Sequence, residues 1–391
     1  MTTASAISLG IDHLITTGHV SGQRVGLLCN SASIDATFHH TADRLREEPE
    51  ITLTTLFSPQ HGFWSDVQDN MIETPHSTHP DYDIPIYSLY SDNREPTPEM
   101  LHNIDTLVVD LQDVGTRVYT YIYTMANCLR AAKRQSIPVV VCDRPNPIGG
   151  DLVEGPMLEP GYESFVGQFP VPLRHGLTIG ELARLFNDHF GIGAELKVFP
   201  LGNWTRTMYQ DQTGLVWVMP SPNLPTLDSA LVYPGTVLFE GTNLSEGRGT
   251  TRPFELIGAP WVDIKTMTSI LSQATLPGVF IRPEVFEPTF QKHAGQRCCG
   301  GQIHVTNRKS FRPVMTAITL LAAIREIDPS QFSWRDPPYE YELARQPIDI
   351  LTGSSILREQ IEEGIPIPEI LAGWQVAVNK FCSIRRHFLM Y

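Results

Sequence analysis

Apolar, strand-like runs alternate with helical patterns in the first half of the chain, and this alternation restricts the fold more than any other feature. The runs at 24–33 (RVGLLCNSAS), 51–59 (ITLTTLFSP) and 138–147 (PVVVCDRPNP) begin with stretches rich in apolar residues and are predicted to form buried strands. Such strands are typical of a parallel sheet covered by helices. We therefore predict an α/β fold with a largely parallel sheet. Further strands are predicted at 84–90 and 105–115, and helices at 39–48, 97–104, 119–135 and 177–191.

A proline-rich stretch at 216–234 separates this part from the rest of the chain. Its prolines at 220, 222, 225 and 234 argue against long regular elements. A chain of 391 residues also has room for two cores. We predict a first domain at 1–234 and a smaller α+β domain at 235–391. The second domain is expected to have helices at 261–273, 314–327 and 356–364 and a strand at 300–308.

Composition excludes several classes of partner. The formal net charge of −14 argues against a broad nucleic-acid surface or an anionic membrane surface, because both need clustered cations. No apolar run approaches the length of a membrane span, and the N-terminus does not resemble a signal peptide. We expect a cytoplasmic protein, or a secreted or periplasmic one if a leader has been removed. The spacing of the six cysteines predicts neither a disulfide nor a metal site.

Polar residues directly follow four of the predicted strands. In open α/β sheets the ligand crevice lies at the carboxyl ends of the strands, so these residues predict a site there. The alternative is that strand ends are polar because they face solvent. The pairs are Asn30 and Ser31, Gln60 and His61, Gln112 and Asp113, and Asp143 and Arg144.

The segment 240–255 (EGTNLSEGRGTTRPFE) is rich in charge and glycine and has almost no apolar residue to form a core. Its glycines permit close approach to a ligand, and Arg248 and Arg252 can bind a carboxylate or phosphate through two hydrogen bonds. We interpret it as a site loop, to which Asn243 and Glu246 add groups that could bind hydroxyls. A solvated, salt-bridged surface loop is the alternative.

Common catalytic motifs are absent: there is no GxSxG, Walker loop, HExxH or early GxGxxG. What remains is an abundance of carboxylates beside arginine and aromatic residues, which favours acid–base chemistry on a polyhydroxylated ligand. Glu73 is the first candidate acid, because Met71, Ile72 and Pro75 could desolvate it and raise its pKa. It lies in the polar segment 59–76, which also contains Gln60, His61 and Asn70.

Glu154 is the second candidate carboxylate. It lies in the glycine- and proline-rich segment 143–163, which could fold over the crevice. We expect Glu73, Glu154, Arg248 and Arg252 to face one cleft at the carboxyl edge of the sheet. The remaining candidates for substrate binding in this region are Asp143, Arg144, Asn146, Arg174 and His175.

These segments resemble the DUF1343 family, whose characterised members are exo-β-N-acetylmuramidases of the NamZ type. The likeness covers nearly the whole chain, including SPQHGF, DLQDVGTRVYTYIYTM, VVVCDRPNPIGG, VEGPMLEP and YPGTVLFEGTNLSEGRGTTRPFELIGAPW. It implies a Rossmann-like first domain, a smaller second domain and a cleft between them. It also implies release of terminal N-acetylmuramic acid (MurNAc) from the non-reducing end of peptidoglycan fragments such as MurNAc–GlcNAc, with no metal or nucleotide cofactor, in cell-wall turnover and recycling.

The resemblance also implies roles for particular residues. The two glutamates thought to act in the family match Glu73 and Glu154 most plausibly, and many members have Glu where this chain has Gln60. The lactyl carboxylate of muramic acid would be bound by Arg248 or Arg252, and Arg144 and Arg174 are the alternative candidates. Two other functions stay open: a non-catalytic muropeptide-binding protein and a sugar-phosphate or nucleotide-sugar enzyme.

Overall fold

The computed structural model describes residues 7–69 and 71–391 and contains three sheets. The largest has seven strands in the order β3-β4-β2-β1-β5-β6-β9, and all its pairings are parallel except β3 with β4. The strands are β1 (Arg24–Leu28), β2 (Thr52–Ser58), β3 (Ser77–Thr78), β4 (Pro85–Ser88), β5 (Thr106–Val109), β6 (Val139–Cys142), β7 (Glu154–Met157), β8 (Pro172–Arg174), β9 (Leu196–Phe199), β10 (Leu256–Ala259), β11 (Val279–Phe286) and β12 (Cys298–Val305). Apart from β3, this is the strand order of the Rossmann fold, so the predicted α/β class is confirmed.

Helices cover both faces of this sheet. The α-helices of the described residues, including those of the second domain, are α1 (Gly10–Thr17), α2 (Thr41–Glu47), α3 (Pro98–Leu101), α4 (Tyr121–Gln135), α5 (Ile179–Arg184), α6 (Leu227–Thr236), α7 (Ile264–Leu271), α8 (Pro313–Ile327), α9 (Pro347–Thr352), α10 (Ile356–Glu362) and α11 (Ile367–Arg385). A π-helical turn at Leu185–His189 continues α5. None of the helices in the described ranges is long and apolar enough to cross a membrane.

Successive residues of β5 show how the sheet divides the core. Leu107 and Val109 pack on the face covered by α4, whereas Val108 packs on the face covered by α1 and α2. Both faces are buried because side chains alternate along a strand and helices lie on each side. The core on the α4 face continues into the second domain, where it includes Val314 and Leu321 of α8.

The second domain contains an antiparallel sheet of order β10-β12-β11, with α7 and α8 packed beside it. The prediction that 216–234 lacks a long regular element was wrong, because α6 forms within it and carries Pro234 inside its last turn. Since α6 packs on α8, the predicted boundary near residue 234 falls within a helix of the second domain's core, and the division at that residue stays a prediction. The chain then returns to the first domain, where the Tyr391 hydroxyl donates to Asp143 Oδ2 at 2.7 Å.

A buried ion pair joins the carboxyl ends of β5 and β6. Arg144 Nη2 donates to Asp110 Oδ2 at 2.8 Å, and Arg144 Nε donates to the other carboxylate oxygen. Arg144 Nη1 also donates to the Ile34 carbonyl at 2.9 Å, and the Thr41 hydroxyl donates to Asp110. Arg144 was predicted to bind substrate. Its hydrogen bonds instead hold the ends of neighbouring strands together.

We expect Arg144→Met to lower the free energy of unfolding by about 3–5 kcal/mol, because it leaves Asp110 buried without its cation. Arg24→Met is the matched control, since Arg24 pairs with Asp105 at 2.7 Å where both side chains are almost half exposed. Loss of that exposed pair should cost about 1 kcal/mol or less. Chemical denaturation of the two variants measures the difference, and equal losses would contradict a structural role for the buried pair.

Candidate active site

A pocket lies beyond the carboxyl end of β2, between the two domains. It contains about 480 Å³ of empty space, part of it open to solvent. We call it the cleft pocket. Its lining residues are Gln60, His61, Val118, Tyr119, Thr120, Tyr121 and Val166 of the first domain, Ser221, Asn223 and Leu224 of the connecting segment, and Tyr233, Glu240, Arg248, Phe254, Tyr339 and Glu340 farther along the chain.

The proline-rich stretch around residues 220–224, which we call the connecting segment, explains why the pocket lies beside β2 and not at the centre of the sheet. The Pro220 carbonyl accepts hydrogen bonds from Asn30 Nδ2 at 2.8 Å and from the Tyr121 hydroxyl at 2.5 Å. Asn30 follows β1, next to the point where the strand order reverses and where Rossmann-like sheets commonly bind ligands. The connecting segment therefore fills part of that crevice with protein.

Glu340 places a buried carboxyl group in the cleft pocket. The residue is only 4% exposed, and its carboxylate accepts hydrogen bonds from Tyr90 Oη at 2.8 Å and Gln60 Nε2 at 3.1 Å. Burial raises the pKa of Glu340 from its ordinary 4.5 to about 7, even though the Tyr90 and Gln60 hydrogen bonds lower it. The negative charge of Glu240 also contributes to the raised pKa of Glu340. Glu340 is thus a carboxyl group that can hold a proton near neutral pH.

Glu240 is the second carboxyl group of the pocket, and it forms an ion pair and a hydrogen bond. Arg248 Nη1 lies 2.5 Å from Glu240 Oε1, and the Tyr339 hydroxyl donates to Glu240 Oε2 at 2.7 Å. The same Arg248 nitrogen lies 3.2 Å from Glu246, which also pairs with Lys292 at 2.7 Å. Burial alone would raise the pKa of Glu246, but the charges of Lys292 and Arg248 lower it to about 2. The four side chains form a network of alternating charge.

His61 contributes a neutral imidazole. Its Nδ1 lies 2.7 Å from the Val67 carbonyl, which can only accept, so Nδ1 carries the proton and Nε2 is an acceptor. Burial lowers the pKa of His61 to about 4, and the Arg248 charge acts in the same direction. Its φ of +71° is unusual for a residue with a side chain, and such conformations cluster at functional sites.

Gln60, His61 and Arg248 are the predicted binding residues that line the cleft pocket. Gln60 is held at both ends of its amide, because Oε1 accepts from Thr120 Oγ1 at 2.9 Å while Nε2 donates to Glu340. Glu246 does not line the pocket, but it contacts Arg248, which does. Asn70 lies outside the described residues.

Glu73 lies at the rim and is not buried. Its Oε1 is 3.2 Å from Arg94 Nη2 and accepts from the Tyr341 hydroxyl at 3.0 Å. The predicted desolvation by neighbouring apolar residues was wrong, because Met71 and Ile72 are themselves 37% and 50% exposed. Glu73 therefore remains a solvent-accessible, ion-paired carboxylate.

Glu154 lies elsewhere, in the hairpin of β7 and β8. Its Oε1 accepts from the Met315 backbone N–H at 2.8 Å, at the start of α8, and its neighbour in the hairpin is Arg174. Burial raises the pKa of Glu154, although these contacts favour the charged form. The structure does not bring Glu73, Glu154, Arg248 and Arg252 to one cleft, since only Arg248 lines the pocket.

The other predicted binding residues contact protein groups outside the pocket lining. Asp143 accepts from Thr178 Oγ1 at 2.8 Å, and burial raises its pKa to about 7. Exposed Arg252 lies 3.5 Å from Glu255. Three of the remaining four residues donate to backbone carbonyls: Asn146 to Leu177, Arg174 to Ile148, and Asn243 to Gln331. The fourth, His175, accepts a hydrogen bond from the Leu177 N–H.

No group of three or more His, Cys, Asp or Glu side chains within the described ranges is arranged to hold a metal ion, and all six cysteines are free. The ionisable side chains that line the pocket are the carboxyl groups of Glu240 and Glu340, His61, Arg248 and tyrosines. A carboxyl group with a raised pKa and an ion-paired carboxyl group in one pocket are a combination that glycoside hydrolases use.

Comparison with known proteins identifies the family. Residues 25–228 match the model described as "Exo-beta-N-acetylmuramidase NamZ, N-terminal", and residues 231–391 match its C-terminal counterpart. The chain belongs to the NamZ family of exo-β-N-acetylmuramidases. It is 45% identical over 387 residues to the peptidoglycan beta-N-acetylmuramidase NamZ of Bacillus subtilis (strain 168), an alignment that covers 98% of this chain and 91% of that protein.

Two solved structures from Bacteroides fragilis NCTC 9343 share the fold. The DUF1343 family protein BF0371 has a TM-score of 0.89 at 32% identity, and BF0379 has a TM-score of 0.77 at 27% identity. Each comparison covers 99% of both chains. The predicted membership of the DUF1343 family and the predicted fold class are thus confirmed.

The raised pKa of Glu340 predicts a pH-dependent effect of Glu340→Gln on stability. Below pH 4.5 the carboxyl is protonated in both states, whereas between pH 4.5 and about 7 only the unfolded chain ionises, so the wild type loses stability as the pH rises. The variant does not titrate there. Relative to wild type, its free energy of unfolding should rise by on the order of 3 kcal/mol over that interval and then level off. Denaturant titrations at several pH values measure this, and a pH-independent difference would contradict the shift.

Proposed function

We propose that the cleft pocket binds a terminal, non-reducing MurNAc residue of peptidoglycan fragments such as MurNAc–GlcNAc and releases it by hydrolysis. Family membership supports the exo-β-N-acetylmuramidase activity, a glycosidase activity of cell-wall turnover and recycling. The observation that carries the assignment to this pocket is that Glu340, whose pKa is raised to about 7, shares it with the ion-paired Glu240. The expected cytoplasmic location stays a prediction.

Glu340 is the proposed general acid. Its pKa of about 7 lets it donate a proton to the glycosidic oxygen as the bond from that oxygen to C1 breaks. Glu240, which is paired with Arg248, stabilises the positive charge that develops at C1. Water then adds to C1 and its proton passes to the Glu340 carboxylate, which restores the acid and completes the hydrolysis.

The remaining pocket walls offer groups of the kind that contact sugars. Tyr119, Tyr233 and Phe254 offer aromatic surface, and His61 Nε2 offers an acceptor for a sugar hydroxyl. Arg248 is the one cation among the described residues that line the pocket. Its predicted contact with the lactyl carboxylate stays a prediction, because Glu240 and Glu246 already share its charge.

The pocket disfavours one of the alternative functions. A phosphate group would have to enter beside Glu240 and Glu340 with a single lining cation already paired to two carboxylates. This arrangement argues against a sugar-phosphate enzyme. A non-catalytic muropeptide-binding protein would keep the pocket but show no turnover, and the same assay distinguishes it.

The test compares a chromogenic β-MurNAc glycoside with its β-GlcNAc counterpart. We expect wild type to cleave only the MurNAc compound, and Glu340→Gln to lower kcat by about 10²–10⁴, the usual contribution of a general acid. Glu240→Gln should also lower kcat strongly, because the variant loses the negative charge facing C1.

Glu154→Gln is the matched control, since it changes a buried glutamate outside the pocket and should retain most of the activity. The assignment would be wrong if Glu154→Gln abolished turnover while Glu340→Gln did not. Absence of turnover by folded wild type, with MurNAc still bound, would instead support the binding protein.

A further inference from the structure

We infer that Glu73, Arg94 and Tyr341 form a subsite for the leaving saccharide, and that this subsite recognises an uncharged N-acetylhexosamine. We call these three residues the rim triad. The inference rests on the proposed function, because it takes Glu340 as the acid. It gives Glu73 a binding role in place of the catalytic one predicted from the sequence.

Backbone continuity fixes the rim triad relative to the acid. Tyr341 directly follows Glu340, and both have positive φ, +44° and +70°. L-residues rarely adopt this conformation, so the surrounding structure must hold it. The two side chains differ in exposure, because Glu340 is buried at 4% exposed whereas Tyr341 is 42% exposed. The chain thus passes from the pocket to its rim within one residue.

Packing then fixes the Tyr341 ring. Its centroid lies 5.8 Å from that of Tyr90 and 5.6 Å from that of Phe165. Tyr90 is the residue that donates to the Glu340 carboxylate. One aromatic cluster therefore supports both the acid and the rim, and the Arg94 guanidinium lies 3.4 Å from the centre of the Tyr341 ring.

The loop that carries Glu73 also contacts the acid's backbone. The Glu340 N–H points at Met71 Sδ at 3.4 Å, and two residues later Glu73 accepts the Tyr341 hydroxyl. In an exo enzyme whose pocket holds one sugar, the group attached to the leaving oxygen must extend out of the pocket. The acid must reach that same oxygen, so the leaving sugar lies near Glu340 and meets this rim.

The chemistry of the rim triad suits an uncharged sugar. Glu73 and Arg94 neutralise one another, and their side chains are 45% and 32% exposed. The hydrogen bonds of the Glu73 carboxylate to Arg94 and Tyr341 both go to Oε1, so its other oxygen can accept from a ligand, and the five N–H groups of the Arg94 guanidinium exceed the bonds it makes within the rim triad. An acceptor beside a donor matches neighbouring hydroxyl and acetamido groups of a hexosamine. An anionic group would be repelled by the negative charge of Glu73.

The test measures kcat/KM for the disaccharide MurNAc–GlcNAc and for a chromogenic β-MurNAc glycoside, using wild type, Arg94→Met and Tyr341→Phe. We expect both variants to lower kcat/KM about tenfold for the disaccharide, because charged or bridging hydrogen bonds to the leaving sugar are lost. The aromatic aglycone makes few of these bonds, so its kcat/KM should fall much less. Inhibition by free GlcNAc should weaken in parallel.

Arg308→Met is the matched control. Arg308 pairs with Asp211 at 2.7 Å and its guanidinium lies 5.2 Å from the Tyr209 ring centre, so it reproduces the ion pair and ring contact of Arg94 away from Glu340 and Tyr341. It should leave the ratio of the two kcat/KM values unchanged. Equal losses on both substrates in the rim variants would overturn the inference, and so would no loss on either. Failure of wild type to cleave either substrate would instead overturn the proposed function.

Discussion

The ion pair between Arg248 and Glu240 is the interaction on which the cleft pocket depends. Arg248 lies within a segment that has almost no apolar residues, so packing alone cannot hold it in place. The buried pair with Glu240, extended by Glu246 and Lys292, replaces a hydrophobic core there. Burying single charges would cost several kcal/mol each, and alternating partners offset that cost. The segment can therefore be rigid and polar at once.

Glycine permits this segment to pack closely. Gly249 has a φ of +80°, and a side chain at this position would begin 2.6 Å from the Phe290 carbonyl oxygen. The neighbouring Lys292 Nζ donates to the Phe239 and Leu244 carbonyls as well as contacting Glu246. The loop around Lys292 and the Arg248 segment thus form one wall, in which Glu240 is held by its ion pair with Arg248.

Local patterns in the sequence predicted the fold well. Apolar-rich runs marked β1, β2, β5 and β6, and α5 begins within the helix predicted at 177–191, where Thr178 caps it with Glu181. The hairpin of β7 and β8 was missed because its strands are short and rich in glycine and proline, so Glu154 was interpreted as a loop residue. Helix α6 was missed because Pro234 lies in its last turn, where α8 packs against it.

Sequence reasoning found one part of the pocket and missed another. Gln60, His61 and Arg248 could be predicted, because strand ends and a charged, glycine-rich loop are recognisable locally. Glu340 could not, since it lies 280 positions from Gln60, has no motif around it, and owes its burial and raised pKa to packing between the domains. Glu73 was misjudged because apolar neighbours in sequence were taken to bury it, although they face solvent.

The most direct test of this account is a crystal structure of the Glu340→Gln variant with MurNAc bound. We predict the sugar in the cleft pocket, with C1 facing Glu240 and the oxygen on C1 within hydrogen-bonding distance of the side chain at position 340. A sugar bound against Glu154 in the β7–β8 hairpin, or at the centre of the sheet beside Asp110 and Arg144, would contradict the assignment of the cleft pocket as the active site.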